Sequence, residues 1–135
     1  MAQADTGVET LSATLKKAEN MAISDSVEII ARDVIPLKVI VPLSEKADGN
    51  GRLSLLVSRD NQGKSWAHFY ADMDSAGRSL QQGTNIATMD FPDAFRMIAG
   101  NDDFGGFRLE SGEQWTLMPR EYFSRIEKML PAKTQ

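Results

Sequence analysis

Apolar residues recur along this chain first with a helical period and then with a period of two. Val8, Leu11, Leu15 and Ala18 lie three or four positions apart while Lys16, Lys17 and Glu19 fall opposite them, which predicts an amphipathic helix. Thr6 and Glu9 have the T-x-x-E spacing of a capping box, so the helix is expected to start at Thr6, after a flexible tail over residues 1–5. Val27, Ile30, Ala31 and Val34 predict the buried side of a second helix. It is expected to begin at Asp25, with Glu28 at the capping-box position, and to end before Pro36, because the residue preceding a proline is pushed out of the helical region. Residues 6–35 therefore read as a helical N-terminal segment.

From residue 37 onward short strand and helix signals alternate. Residues 37–43, 53–58 and 66–71 are rich in Val, Ile, Leu and aromatic residues and predict strands. Residues 44–52 (SEKADGNGR) form a polar connection, and Asp60, Asn61, Gln62 and Gly63 supply the turn of an antiparallel hairpin. Asp72 is expected to cap a helix whose apolar stripe is Met73, Ala76 and Leu80, with Gly83 beyond its end. A strand over 86–89 leads to a second cap at Asp90, with Pro92 in the first turn, Phe91, Phe95 and Ile98 facing inward and Gly100 at the end. Strands over 104–109 and 114–117 flank a Ser111-Gly112 turn. Pro119 opens a last helix with Tyr122, Phe123, Ile126, Met129 and Leu130 on one side, and Pro131 stops it. The sum is one α+β domain over 1–135, in which an α/β core over 37–130 builds a single mixed, largely antiparallel sheet of about five or six strands covered by helices.

Composition narrows the function classes. A chain of 135 residues can bury a core without disulfides. The absence of cysteine excludes disulfides and Cys-based zinc sites and fits a reducing cytoplasm. A net charge of −4 and a pI of about 5.0 disfavour a nucleic-acid partner, which needs a basic surface. The start MAQADTGVETL lacks the basic region and apolar run of a signal peptide, and no apolar run approaches the roughly 18 residues of a membrane span. The expectation is a cytoplasmic protein with no membrane contact.

The residues offer few sites for chemistry. Asp72-Met73-Asp74 follows an apolar strand, as the D-x-D nucleophile of haloacid-dehalogenase-like phosphatases does, where one Asp attacks phosphorus and the other serves as acid beside Mg²⁺. Too little chain follows for the remaining residues of that machinery, and capping of a helix by Asp72 with Asp74 in its first turn is the simpler reading. An EF-hand fails on the same stretch, since Ala76 and Gly83 stand where ligands are needed. Asn101, Asp102 and Asp103 lie among glycines and read as a solvated turn. Gly105-Gly106 lacks the spacing of a phosphate loop. His68 is the only histidine, and no G-x-S-x-G elbow supports a serine triad. No cofactor or metal site emerges. Trp66, His68 and Tyr70 share one face of a strand, with Ala67, Phe69 and Ala71 on the other, and form a partner-binding candidate if that face is uncovered.

Several segments resemble the SseB family, in the form of its N-terminal domain. They are Val39-Ile40-Val41-Pro42; Phe69-Tyr70-Ala71-Asp72-Met73-Asp74; Ala87-Thr88-Met89-Asp90-Phe91-Pro92-Asp93-Ala94-Phe95; Phe104-Gly105-Gly106-Phe107-Arg108-Leu109; and Leu117-Met118-Pro119-Arg120-Glu121-Tyr122-Phe123. The similarity is a pattern of apolar and turn residues over roughly two-thirds of the chain. It departs where the family places an Asn-Pro pair near the end, since this chain has Arg108-Leu109-Glu110-Ser111-Gly112 there. The resemblance implies a small bacterial-type α+β domain and carries no catalytic residues over, because the family has none agreed; its name describes a serine-sensitivity phenotype and no mechanism. Together these features lead to a non-enzymatic protein-interaction or regulatory module with an unidentified protein partner. The rival readings are a small metal-dependent hydrolase or phosphotransferase using Asp72 and Asp74, and a small-ligand sensor. Homo-oligomerisation is compatible with the pattern, but nothing in the sequence selects it.

Overall fold

The computed structural model describes residues 3–47 and 53–131. The element order is α1 (Gln3–Ala18), α2 (Ile23–Val34), β1 (Lys38–Ala47), β2 (Leu53–Leu55), β3 (Ser58–Arg59), β4 (Ser65–Tyr70), α3 (Met73–Ser79), β5 (Asn85–Asp90), α4 (Phe91–Ala99), β6 (Phe104–Ser111), β7 (Gln114–Pro119) and α5 (Phe123–Glu127). The class is the expected α+β, with five α-helices and one mixed sheet among the described residues. Among the described residues the sheet has seven strands, because the expected strand over 53–58 breaks into two short pieces, β2 and β3.

β1 is the hub of one half of the sheet. It pairs antiparallel with β5 along Lys38↔Asp90 to Leu43↔Asn85, and its other edge serves two strands. Ile40 faces Tyr70 of β4, whereas Leu43 faces Leu55 of β2. β3 then pairs with β4 through Ser58↔Trp66 and Arg59↔Ser65, so residues 53–59 bridge β1 and β4 where these diverge. The expected hairpin is present, with Gly63 at φ +80° and the Gln62 and Lys64 N–H groups donating to Asp60 Oδ1. β4 and β6 form the only parallel pair described, and β6 turns through Gly112 (φ +60°) into antiparallel β7.

One face of this sheet is closed by helices. Val39, Val41, Ala67, Phe69, Phe107, Leu109 and Met118 project from it into a core with Leu11 and Leu15 of α1, Val27 and Ile30 of α2, Phe95 and Ile98 of α4, and Phe123 and Ile126 of α5. Phe69 and Phe107 lie with ring centroids 5.1 Å apart, and Phe91 meets Phe69 edge-on at 6.0 Å. Burying each such side chain contributes about 1.5–3 kcal/mol. The N-terminal helix belongs to this core: Ser12 Oγ lies 2.7 Å from Ser111 Oγ at the end of β6, and Thr14 bonds to Asp33 of α2.

Several expected boundaries move. α1 begins at Gln3, so Thr6 lies inside the helix and residues 3–5 are helical; residues 1–2 lie outside the described residues. α2 begins at Ile23 after Ala22, and Asp25 sits in its first turn. Glu28, expected in a capping box, instead accepts from Arg125 of α5 at 2.7 and 2.5 Å. β1 extends to Ala47, shortening the expected 44–52 connection, whose residues 48–52 lie outside the described ones. Asp90 occupies the N-cap position of α4 without a side-chain cap, because its carboxylate takes Lys38 Nζ at 2.9 Å. The last helix starts with a 3₁₀ turn over Arg120–Tyr122 before α5, and Phe123 and Ile126 are its buried residues. No helix among the described residues is long and apolar enough to cross a membrane.

Candidate functional site

The second face of the sheet is set by the alternation of β4. With Phe69 fully buried in the core, Trp66, His68 and Tyr70 point the other way. Register extends each into a cross-strand row: Trp66–Gly106–Pro119, His68–Arg108–Leu117, and Tyr70–Glu110–Trp115, with Ile40 beside Tyr70. Among the described residues only α3 lies over this face, and it covers one end. Ala76 and Leu80 pack on Ile40 and Tyr70, leaving Tyr70 3% exposed. The trio picked out from sequence is therefore divided. Tyr70 is buried beneath α3, while Trp66 and His68 are half-buried at its open margin.

A chain of polar contacts ties the open rows together. Glu110 is buried and accepts from Arg108 Nη1 at 2.5 Å and from Ser79 Oγ at 3.0 and 3.2 Å, which satisfies a carboxylate that would be costly to bury alone. The Arg108 guanidinium also lies over the Trp115 ring, 4.8 Å from its centroid. Burial, and then the charge of Glu110, push the Tyr70 hydroxyl above its ordinary value of 10.0. His68 Nε2 lies 2.6 Å from Ser58 Oγ, and burial followed by the Arg108 charge holds His68 below its ordinary 6.5. Trp66 Nε1 donates to Asp60 Oδ2 at 2.9 Å; that bond and the Lys64 N–H hold the Asp60 carboxyl below its ordinary 3.8.

The most exposed apolar groups of this face come from β7. Trp115 is 54% and Leu117 42% exposed, while Met118 on the opposite side is fully buried. The sequence shows the alternation of β7 but not which side a helix covers, so these two residues were not among the candidates. Beside Leu117 lies a cleft of about 310 Å³, lined by Ser58, Arg59, Asp60, Trp66, His68, Arg108 and Leu117. A second groove, about 420 Å³, runs between α3 and β5 past Met73, Ala76, Leu80 and Ile86.

The acidic motifs have structural roles. Asp72 caps α3, its carboxylate accepting the Ser75 N–H at 2.8 Å, and Asp74 is exposed in the first turn. Asn101 Oδ1 accepts the Asp103 N–H at 2.9 Å, and Asp103 Oδ2 accepts the Ser65 hydroxyl at 2.8 Å, anchoring the turn before β6 to the start of β4. Among the described residues no three acidic or histidine side chains converge as metal ligands would. The Ser58–His68 contact is a nucleophile–base spacing, but no described side chain bonds the other ring nitrogen to orient it. Gly106 serves packing: a Cβ there would collide with the Trp66 ring and the Met118 carbonyl.

No family model, no curated protein and no solved structure matches this chain.

Proposed function

We propose that this chain is a non-enzymatic protein-interaction module that docks a protein partner on the open face of its sheet. The observation that carries the proposal is the exposure of Trp115 and Leu117, at 54% and 42%, beside half-buried Trp66, His68 and Arg108 on strands packed from behind by a closed core. Tryptophan and arginine clustered on a fixed platform are the residue types that dominate binding energy at protein interfaces. The carboxylates of the face, Trp66 Nε1 and His68 Nε2 already have partners within the fold, which supports a preformed recognition surface. The resemblance to SseB-family segments points the same way and is part of the proposal, as is a cytoplasmic setting, for which the cysteine-free composition is the support.

A small-ligand sensor is the second reading, favoured by the apolar groove between α3 and β5. The hydrolase reading has less support, because capping of α3 already employs Asp72.

Capture from lysate with three baits tests the choice. The baits are the parent chain, Leu117→Asp on the open face and Met73→Asp in the α3–β5 groove. A stoichiometric partner, reconstituted from purified components and lost only with Leu117→Asp, is the expected result. A partner lost only with Met73→Asp, or retained by both variants, would overturn the assignment of the surface.

A further inference from the structure

We infer, resting on that docking surface, that the partner presents an acidic segment to the cleft: a carboxylate side chain next to an aliphatic or aromatic one. The hydrogen-bond inventory of the cleft leads to this chemistry. Its carboxylates are spent. Asp60 Oδ1 accepts the Gln62 and Lys64 N–H groups at 2.9 and 3.0 Å, and Oδ2 accepts Trp66 Nε1 at 2.9 Å. Glu110, in the adjoining Tyr70–Trp115 row, is filled by Arg108 and Ser79.

The donors of the two guanidiniums are only partly used. A guanidinium carries five N–H donors. Among the described residues Arg108 commits one to Glu110, and Arg59 commits one to the Gly63 carbonyl at 3.1 Å, with Asp103 a distant 3.9 Å away. The Arg59 side chain is 64% exposed and that of Arg108 27%. Asp60 and Glu110 balance the formal charges of Arg59 and Arg108, but their acceptor sites are filled, so the rim of the cleft offers N–H donors with few open acceptors, while Trp66 and Leu117 give it apolar walls.

A ligand that matches this arrangement brings an anionic acceptor for the guanidinium fork and an apolar neighbour for the walls. The cleft is open and continuous with exposed Leu117 and with Trp115 beyond it, which suits an extended peptide better than an enclosed small molecule. A nucleic-acid backbone, which brings many phosphates where the segment brings one carboxylate, is disfavoured by the net charge of −4.

Selection of a displayed random-heptapeptide library on the intact chain, followed by titration of the selected peptides against tryptophan fluorescence, tests the inference. The expected consensus holds Asp or Glu adjacent to Leu, Ile, Phe or Trp. Its binding should weaken about tenfold in Arg59→Gln, the scale of losing a charge-assisted hydrogen bond, and should weaken as salt is raised. It should also weaken in Leu117→Ser. Peptides that depend on Leu117 but carry no acid, or that bind Arg59→Gln as well as the parent, would overturn the acidic-segment inference while leaving the docking face intact. Failure to select any peptide sensitive to Leu117→Ser would count against both.

Discussion

The indole ring of Trp66 lies against Gly106, its register partner on the parallel strand β6. The glycine is a requirement of space, since any Cβ at that position would meet the ring and the Met118 carbonyl. Trp66 cannot simply swing away, because Asp60 holds its N–H at 2.9 Å. Gly106→Ala is therefore expected to destabilise the chain by about 1–3 kcal/mol, the usual scale of overpacking. Gly77 is the control. It lies in α3 with open space around its Cβ direction, so Gly77→Ala should stabilise by about 0.5–1 kcal/mol. Urea denaturation of the two variants measures both, and shifts of the same sign would contradict the packing described for Trp66.

Capping and metal chemistry at Asp72 make different predictions. If the carboxylate serves the Ser75 N–H, Asp72→Ala should cost about 0.5–2 kcal/mol, whereas Asp72→Ser, which also caps, should be nearly neutral. A magnesium-dependent phosphatase would lose activity with both substitutions. Thermal denaturation alongside hydrolysis of a generic phosphate ester separates the cases.

His68 gives stability a pH dependence of defined sign. Its folded-state pKa lies below 6.5, through burial first and the Arg108 charge second. The unfolded chain therefore binds this proton at higher pH than the folded chain, and stability rises with pH in the window between the two values. The contribution is complete above the unfolded value of 6.5, declines as pH falls through it, and levels off once the folded pKa is passed. Asp33, held below 3.8 by Arg32 with help from Thr14, acts only in the lower carboxylate window. Urea midpoints between about pH 8 and pH 5 should fall for the parent and stay flatter for His68→Gln. An NMR titration placing His68 at or above 6.5 would contradict the assigned environment.

The side of the sheet that needs the helices is set by the phenylalanine cluster. Phe69→Ala removes a fully buried ring in contact with Phe91 and Phe107 and should cost about 3–5 kcal/mol. On the open face, Leu117→Ser should cost far less, because nearly half of that side chain is already in water. Similar denaturation midpoints for the two variants would contradict the sidedness of the sheet.

The sidedness of individual elements was legible in the sequence because period reports burial directly. Val27, Ile30, Ala31 and Val34 on α2, Phe69 against His68 on β4, and Phe123 with Ile126 near the C-terminus all face where the spacing puts them. Positions that depend on remote partners were not legible. Asp90 leaves its capping role for Lys38, 52 residues away, and Glu28 leaves its own for Arg125, 97 residues away. The division of the Trp66, His68 and Tyr70 face depends on where α3 comes to rest, which no local pattern encodes. Trp115 and Leu117 looked like ordinary strand residues, since only tertiary structure shows that no described helix reaches them.

The central claim, that the β7 side of the sheet is an open face used for docking, is tested most directly by acrylamide quenching of Trp115 fluorescence. Trp66→Phe leaves Trp115 as the sole tryptophan of the two in the chain. In the isolated chain at low concentration Trp115 should be readily quenched, and in complex with the reconstituted partner, or with a selected acidic peptide, it should become protected. A Trp115 already shielded in the dilute chain, or one equally quenched with partner bound, would contradict the open docking face.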